Sequence, residues 1–345
     1  MSARRAAAPP PLRCPIPPAI SPYAAETQHW LTGWLRRTDV ATSPSTRRRI
    51  EAAGFARYAA RLYPDADRAT LRTLSQLFTW FFLLDDVADS TVTQDTDRLG
   101  ELLTGAVRVL RHDDAPAVHA HGVLHHMLAD IWRTPSAAMP HPWRDRFVDA
   151  VRHHLAGVLA EAESKAAGRR PGVAEYVRLR RATSAAYVAH VLTEFAARSP
   201  LPDAVHGHPA LRAYSTAAND LLSWFNDLLS LERDEATAGG HNLVLALAAE
   251  RRLPVPEAVD AAALMWRERM EGFAALRRAV PSFGRGMDAP LRHYLLGVER
   301  SVRGTIDWSL ESARYQAPPL VAPYLLGANP GRGKSGEPPV PPPNR

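Results

Sequence analysis

Two short oxygen-rich stretches carry the chemistry this sequence could perform. The first is Asp85-Asp86-Val87-Ala88-Asp89, which closes the apolar run from Leu77 to Leu84. On a helix, Asp85 and Asp89 stand one turn apart on the same side, and Asp86 lies about 100° round from Asp85. The second is Asn226, Ser230 and Asp234, spaced so that their oxygens form one stripe along about two turns. Every donor is a hard oxygen, which suits magnesium or manganese better than zinc. Both clusters end largely apolar helices, where the macrodipole is negative and carboxylates are disfavoured. A divalent cation would offset that. Read singly, an Asp-rich helix end is equally a solvated terminus, and Asn and Ser in a last turn can bond backbone carbonyls. Read together, the clusters suggest metal ions held between two helix ends.

The elements that must position these groups are helices. Trp80-Phe81-Phe82-Leu83-Leu84 has no polar face, so it belongs to a buried core helix. Prolines and glycines cut the chain into helical runs expected at 24–36, 45–62, 67–89, 93–112, 115–132, 142–164, 171–198, 208–237, 240–251, 255–279 and 286–315. No β-alternation, hairpin signal or repeat period interrupts them. The expected fold is all-α, a single-domain bundle of about ten to twelve helices around a central cavity. Residues 1–22 and 317–345 are Pro-rich and aperiodic, so both read as disordered or loosely laid tails flanking a domain over 23–316.

Composition narrows the class further. With 345 residues, 46% of them hydrophobic and 23% charged, the chain can bury one large core. No apolar stretch approaches the roughly 18–20 residues of a membrane span. The N-terminus lacks the apolar segment of a secretory signal, and the single cysteine, Cys14, allows no internal disulfide; both fit a cytoplasmic protein. The net charge of +6 raises nucleic acid as a partner, but the arginines are dispersed and no recognition motif accompanies them.

At these residues the chain resembles the bacterial class I terpene synthases of the pentalenene synthase type. The likeness extends over 24–316 and rests on four motifs in order. Asp85-Asp86-xx-Asp89 is similar to the family's first metal motif. Asn226-Asp227-Leu-Leu-Ser230-xx-Arg233-Asp234 is similar to the second, whose basic residue contacts diphosphate. Arg180 lies 46 positions before Asn226, the family's spacing for a diphosphate-sensing arginine. Trp308 followed by Arg314-Tyr315 resembles the pair that grips the diphosphate. There are departures. Asp234 stands where the family has Glu, with Glu235 next to it as the other possible ligand; Ser90 replaces a common acidic residue; Ser184 occupies a position often held by Gly, whose carbonyl faces the substrate.

The resemblance implies a fold, a reaction and a site. The substrate would be a linear prenyl diphosphate, farnesyl before geranylgeranyl, ionised and cyclised to a sesquiterpene with release of diphosphate. The metal would be magnesium, three ions with the diphosphate, or manganese in its place. Ligands would come from Asp85, Asp86, Asp89, Asn226, Ser230 and Asp234. Arg180, Arg233, Arg314 and Tyr315 would bind the diphosphate, with Ser184, Phe81, Phe82 and Trp308 beside the substrate. Catalysis would rest on Asp85, Arg180, Asn226, Ser230 and Asp234. The fold also allows a homodimer. Rival readings are a diterpene synthase, a chain-elongating prenyl transferase, a non-catalytic relative and a basic helical binding protein. A transferase would carry a second Asp-rich motif where this chain has Asn226 and Ser230.

Overall fold

The computed structural model describes residues 11–38, 44–91, 96–111, 122–236 and 240–312, with Val321 and Tyr324. Among these there are fourteen helices and no strand. They are α1 (Ala24–Leu35), α2 (Pro44–Ala53), α3 (Phe55–Leu62), α4 (Arg68–Thr91), α5 (Thr96–Arg111), α6 (Gly122–Ala138) and α7 (His141–Ala166). The second half contains α8 (Val173–Thr183), α9 (Ala186–Ala196), α10 (Asp203–His206), α11 (Pro209–Ala236), α12 (Leu243–Arg251), α13 (Val255–Ala279) and α14 (Arg285–Glu311). The all-helical class is as expected, with fourteen helices standing where eleven helical runs were expected.

Two splits account for most of the excess. The run expected at 45–62 breaks between α2 and α3, where Gly54 adopts φ +67°, a left-handed conformation that glycine reaches without steric cost. The run expected at 171–198 breaks between α8 and α9, where Ala185 takes φ +56°. Nothing local demands that second break, since alanine is the best helix former. Tertiary packing imposes it.

The helices bury two apolar cores. One gathers α1 to α7 and α9 around Trp80, Trp132, Trp143 and Phe147. The other gathers α8 and α10 to α14 around Tyr214, Phe225 and Trp266. In each, indole N–H groups find backbone carbonyls: Trp80 donates to Leu124 at 2.8 Å and Trp266 to Leu221 at 2.8 Å. Within α4, Ser75 and Thr79 satisfy their buried hydroxyls on carbonyls one turn back, which lets polar residues ride in an apolar helix.

The inner part of the N-terminal tail differs from expectation. Leu12 is fully buried, its N–H donates to the Tyr324 carbonyl at 2.9 Å, and Cys14 is buried beside it. Leu12, Cys14 and Ile16 alternate along an extended segment, so their side chains share the face that meets the core. Arg303 on α14 clasps this segment by donating to the carbonyls of Cys14 and Ile16 at 3.4 and 3.3 Å. Burial raises the Cys14 thiol above its ordinary pKa, so it is an inert packing group, not a nucleophile.

Candidate active site

A cavity of about 540 Å³ lies between the two cores, and both oxygen-rich helix ends open into it. Asp85 reaches it from α4, and Asn226 and Asp234 from α11. Arg180, Arg233, Ser184, Phe81, Phe82 and Trp308 line the same space. Ser230 stands behind Asp234, its Oγ donating to Asp234 Oδ2 at 2.6 Å. Asp86 is half-buried on α4 and lies outside the lining, as its 100° offset from Asp85 requires. The backbone of Asp89 continues α4, but its side chain, like Arg314 and Tyr315, lies outside the described residues.

Arg180 is fixed by partners that sequence pattern did not reveal. Its Nε donates to Asp227 Oδ1 at 2.8 Å and its Nη2 to Asn226 Oδ1 at 2.9 Å. Tyr176 donates its hydroxyl to Asp227 Oδ2 at 2.7 Å, and the Leu243 N–H approaches the same oxygen at 3.3 Å. Burial alone would loosen the Arg180 proton, but the Asp227 carboxylate holds the guanidinium pKa above its ordinary value. Burial also pushes the Asp227 carboxyl up, against the pull of Arg180 and Tyr176. The adjacent arginines are used elsewhere. Arg181 forms a two-point clamp on Asp220, at 2.7 and 2.8 Å, and Arg178 is exposed.

Asn242 ties the far end of α11 together. It caps α12 by accepting from the Val244 N–H at 2.9 Å, and its Nδ2 donates to the Asp227 carbonyl at 2.7 Å and to Asp234 Oδ2 at 3.0 Å. The chain turns at Gly240 so close to the Asp234 carbonyl that no Cβ would fit. Asp234 therefore faces the cavity, whereas Glu235 is exposed and borders a separate pocket with Arg170 and Pro171. The signal for Asn242 was present in the sequence: an Asn after two glycines and before an apolar run is an N-cap.

The donors fit a hard divalent cation. Asp85 on one wall and Asn226, Ser230 and Asp234 on the other offer oxygen only, the set that magnesium prefers. Among the described residues no group of three or more His, Cys, Asp or Glu side chains forms a self-sufficient metal site. A cation here would complete its shell with oxygens of an anionic ligand.

Below the oxygen-rich end the wall is apolar. Phe82 stacks on Phe55 at 4.3 Å, Tyr58 stacks on Trp308 at 4.4 Å, and Phe81 meets His154 edge-on at 5.5 Å. The Trp308 indole donates to the Ala53 carbonyl at 2.8 Å, which fixes the ring against the cavity. His190 is a satisfied core histidine, with Ser215 Oγ at 2.7 Å and Ser301 Oγ at 3.1 Å. His154, Glu161, Lys165 and His241 also line the space, and no pattern in the sequence marks them.

Comparison with known proteins agrees with this geometry. Residues 76–272 match the family described as terpene synthase family 2, C-terminal metal binding. The chain is 31% identical over 310 residues to 10-epi-cubebol synthase of Sorangium cellulosum, covering 89% of this chain and 98% of the relative. It is 30% identical over 303 residues to the (+)-T-muurolol synthase ((2E,6E)-farnesyl diphosphate cyclizing) of Roseiflexus castenholzii, covering 87% and 92%. Among solved structures, it superimposes on a variant of the SVS_A2 protein from ancestral sequence reconstruction with a TM-score of 0.80, 27% identity and coverage of 90% and 92%. A linalool/nerolidol synthase from Streptomyces clavuligerus gives 0.77, 27%, and coverage of 86% and 98%.

Proposed function

This chain belongs to terpene synthase family 2 with C-terminal metal binding, and on that premise we propose that it is a magnesium-dependent class I cyclase converting farnesyl diphosphate to a sesquiterpene. The observation that carries this reading is the shared cavity: Asp85, Arg180, Asn226 and Asp234 all line it. Farnesyl diphosphate is favoured because two relatives, the (+)-T-muurolol and 4-epi-cubebol synthases, are named for cyclising it. The domain that does this is taken as residues 23–316.

Breaking the allylic C–O bond leaves a diphosphate and an allylic cation, so the site must hold the first and shelter the second. Asp85, Asn226, Ser230 and Asp234 would hold magnesium, with the other carboxylates of the first motif, Asp86 and Asp89, in support. Bound there, magnesium supplies Lewis-acid neutralisation of the leaving group. Arg180 and Arg233 donate charge-assisted hydrogen bonds to diphosphate oxygens, and Arg314 and Tyr315 are assigned the same task. Asp227 and Tyr176 aim Arg180, so the guanidinium enters the reaction already oriented. Phe81, Phe82 and Trp308 exclude bulk water and offer aromatic faces to the cation.

The test is to offer geranyl, farnesyl and geranylgeranyl diphosphate separately with magnesium and to analyse solvent extracts by gas chromatography and mass spectrometry. A cyclic C15 product from farnesyl diphosphate is expected. No product from any of them would overturn the assignment, and chain growth with added isopentenyl diphosphate would favour a transferase.

A further inference from the structure

The apolar part of the cavity is interrupted by two hydroxyls on α14. Ser301 and Thr305 stand one turn apart and both line the space, which Leu62, Val188, Ala189 and Leu192 also line. An alanine and a valine would fill the same volume without burying oxygen. Their hydrogen bonding is one-sided. Ser301 Oγ donates to the Val298 carbonyl at 2.7 Å, and Thr305 Oγ1 donates to the Ser301 carbonyl at 2.7 Å. With the single hydrogen of each hydroxyl committed to the helix backbone, both oxygens can only accept.

Their neighbours agree with that polarity. His190 Nε2 lies 3.1 Å from Ser301 Oγ and Nδ1 lies 2.7 Å from Ser215 Oγ; with the Ser301 hydrogen on the Val298 carbonyl, Nε2 carries the ring proton and Nδ1 accepts. Burial pushes the His190 pKa down to about 3, which keeps the ring neutral, as one donor and one acceptor require. The Tyr58 hydroxyl lies 3.0 Å from Thr305 Oγ1 and is the donor of that pair when the Thr305 hydrogen sits on the Ser301 carbonyl. Each hydroxyl oxygen accepts one of these bonds and keeps one lone pair. Residues four apart on a helix have Cβ atoms about 5–6 Å apart. One water donating two hydrogen bonds of about 2.8 Å spans oxygens about 4.5 Å apart, a separation that side-chain oxygens on successive turns can reach.

We infer that Ser301 and Thr305 hold one water in the cavity by its two hydrogens, with its oxygen lone pair toward the carbocation, and that the chain therefore makes a cyclic alcohol. This rests on the cyclase reading above. The site is remote from ionisation: Trp308 packs 5.6 Å from Phe82 near Asp85, and Ser301 is seven residues back along α14, roughly 10 Å at 1.5 Å per residue. An early cation near the diphosphate is thus spared, and a later cation formed deeper in the cavity meets the water. The water oxygen forms a C–O bond with its own electron pair. The protonated alcohol then gives a proton to the released diphosphate, leaving neutral alcohol and hydrogen diphosphate.

The experiment is turnover of farnesyl diphosphate with magnesium by the full chain in ¹⁸O-labelled water. The expected product is a cyclic alcohol carrying one ¹⁸O. Ser301→Ala and Thr305→Val should each lower the ratio of alcohol to hydrocarbon about tenfold, the loss of one hydrogen bond to the water. That ratio is independent of how much enzyme folds. A wild-type product consisting only of cyclic hydrocarbon overturns the water site and leaves the cyclase reading standing. Variants that keep the wild-type ratio overturn the assignment to Ser301 and Thr305. Absence of any product overturns the cyclase reading and this inference with it.

Discussion

At the scale of single residues, Asp85, Asn226 and Asp234 bring oxygens into one cavity from two helices. Asp85 is half-buried at the cavity mouth, and Asn226 shares its oxygen with Arg180. Asp85→Ala and Asn226→Ala should each lower turnover by at least about a hundredfold, while the circular dichroism spectrum stays that of the wild type. Asp234→Glu should keep turnover within a few-fold. Its longer side chain restores the family's usual residue at a position that already faces the cavity, whereas complete loss would return Glu235 to consideration. These positions were legible from residue type and spacing alone. Asp227 was not, because its role depends on which carboxylate a guanidinium selects across helices, and the N-cap pattern at Asn242 does not tell that its amide also reaches Asp234. Arg180 and Arg181 look alike in the chain. One turns to Asp227 and the cavity, the other to Asp220.

At the scale of elements, the seam between α3 and α14 carries a buried charge network. Asp307 accepts from Arg61 at 3.1 Å and from Arg303 at 2.9 Å, and Glu311 adds a further pair with Arg61. Asp307→Asn would leave two buried guanidiniums with reduced compensation, and a loss of about 3–5 kcal/mol is expected from denaturant midpoints. A change below about 1 kcal/mol would show that the network is not what joins these helices. The boundaries of α13 coincide with those expected from sequence, since Pro254 and Pro256 mark its start and its pattern is uninterrupted. The break between α8 and α9 was invisible. Ala182 and Ala185 favour helix, Ser184 marks the turn only by accepting from the Ala186 N–H at 3.1 Å, and Gly157 on α7 shows why the segment sits where it does. A Cβ at Gly157 would meet the Ala182 backbone at 3.1 Å, so α7 and α8 approach as closely as the missing side chain permits.

At the scale of the whole molecule, two buried histidines link stability to pH. Burial pushes His154 down to about 4 and His190 to about 3, so both are neutral in the fold at pH 7, while the unfolded chain titrates near the ordinary 6.5. Below about 6.5 the unfolded chain takes up protons that the fold refuses. Stability should therefore be complete above that pH and fall as pH drops toward about 4, by about 1.4 kcal/mol per histidine per pH unit. Urea midpoints at pH 7, 6 and 5 check this, and constant midpoints would contradict it. The all-helical architecture was readable because apolar periodicity has no rival signal in this chain. The docking of residues 11–16 onto α14 was not, since an extended Pro-rich segment shows no pattern until the face it meets is known.

On the cyclase reading, two helix ends on opposite walls grip one diphosphate through cations that neither end would hold alone. Isothermal titration of inorganic diphosphate into the full chain, with and without magnesium, tests it most directly. Binding that needs magnesium and is lost in both Asp85→Ala and Asn226→Ala is the predicted result; equal affinity in either variant, or in the absence of magnesium, would contradict it.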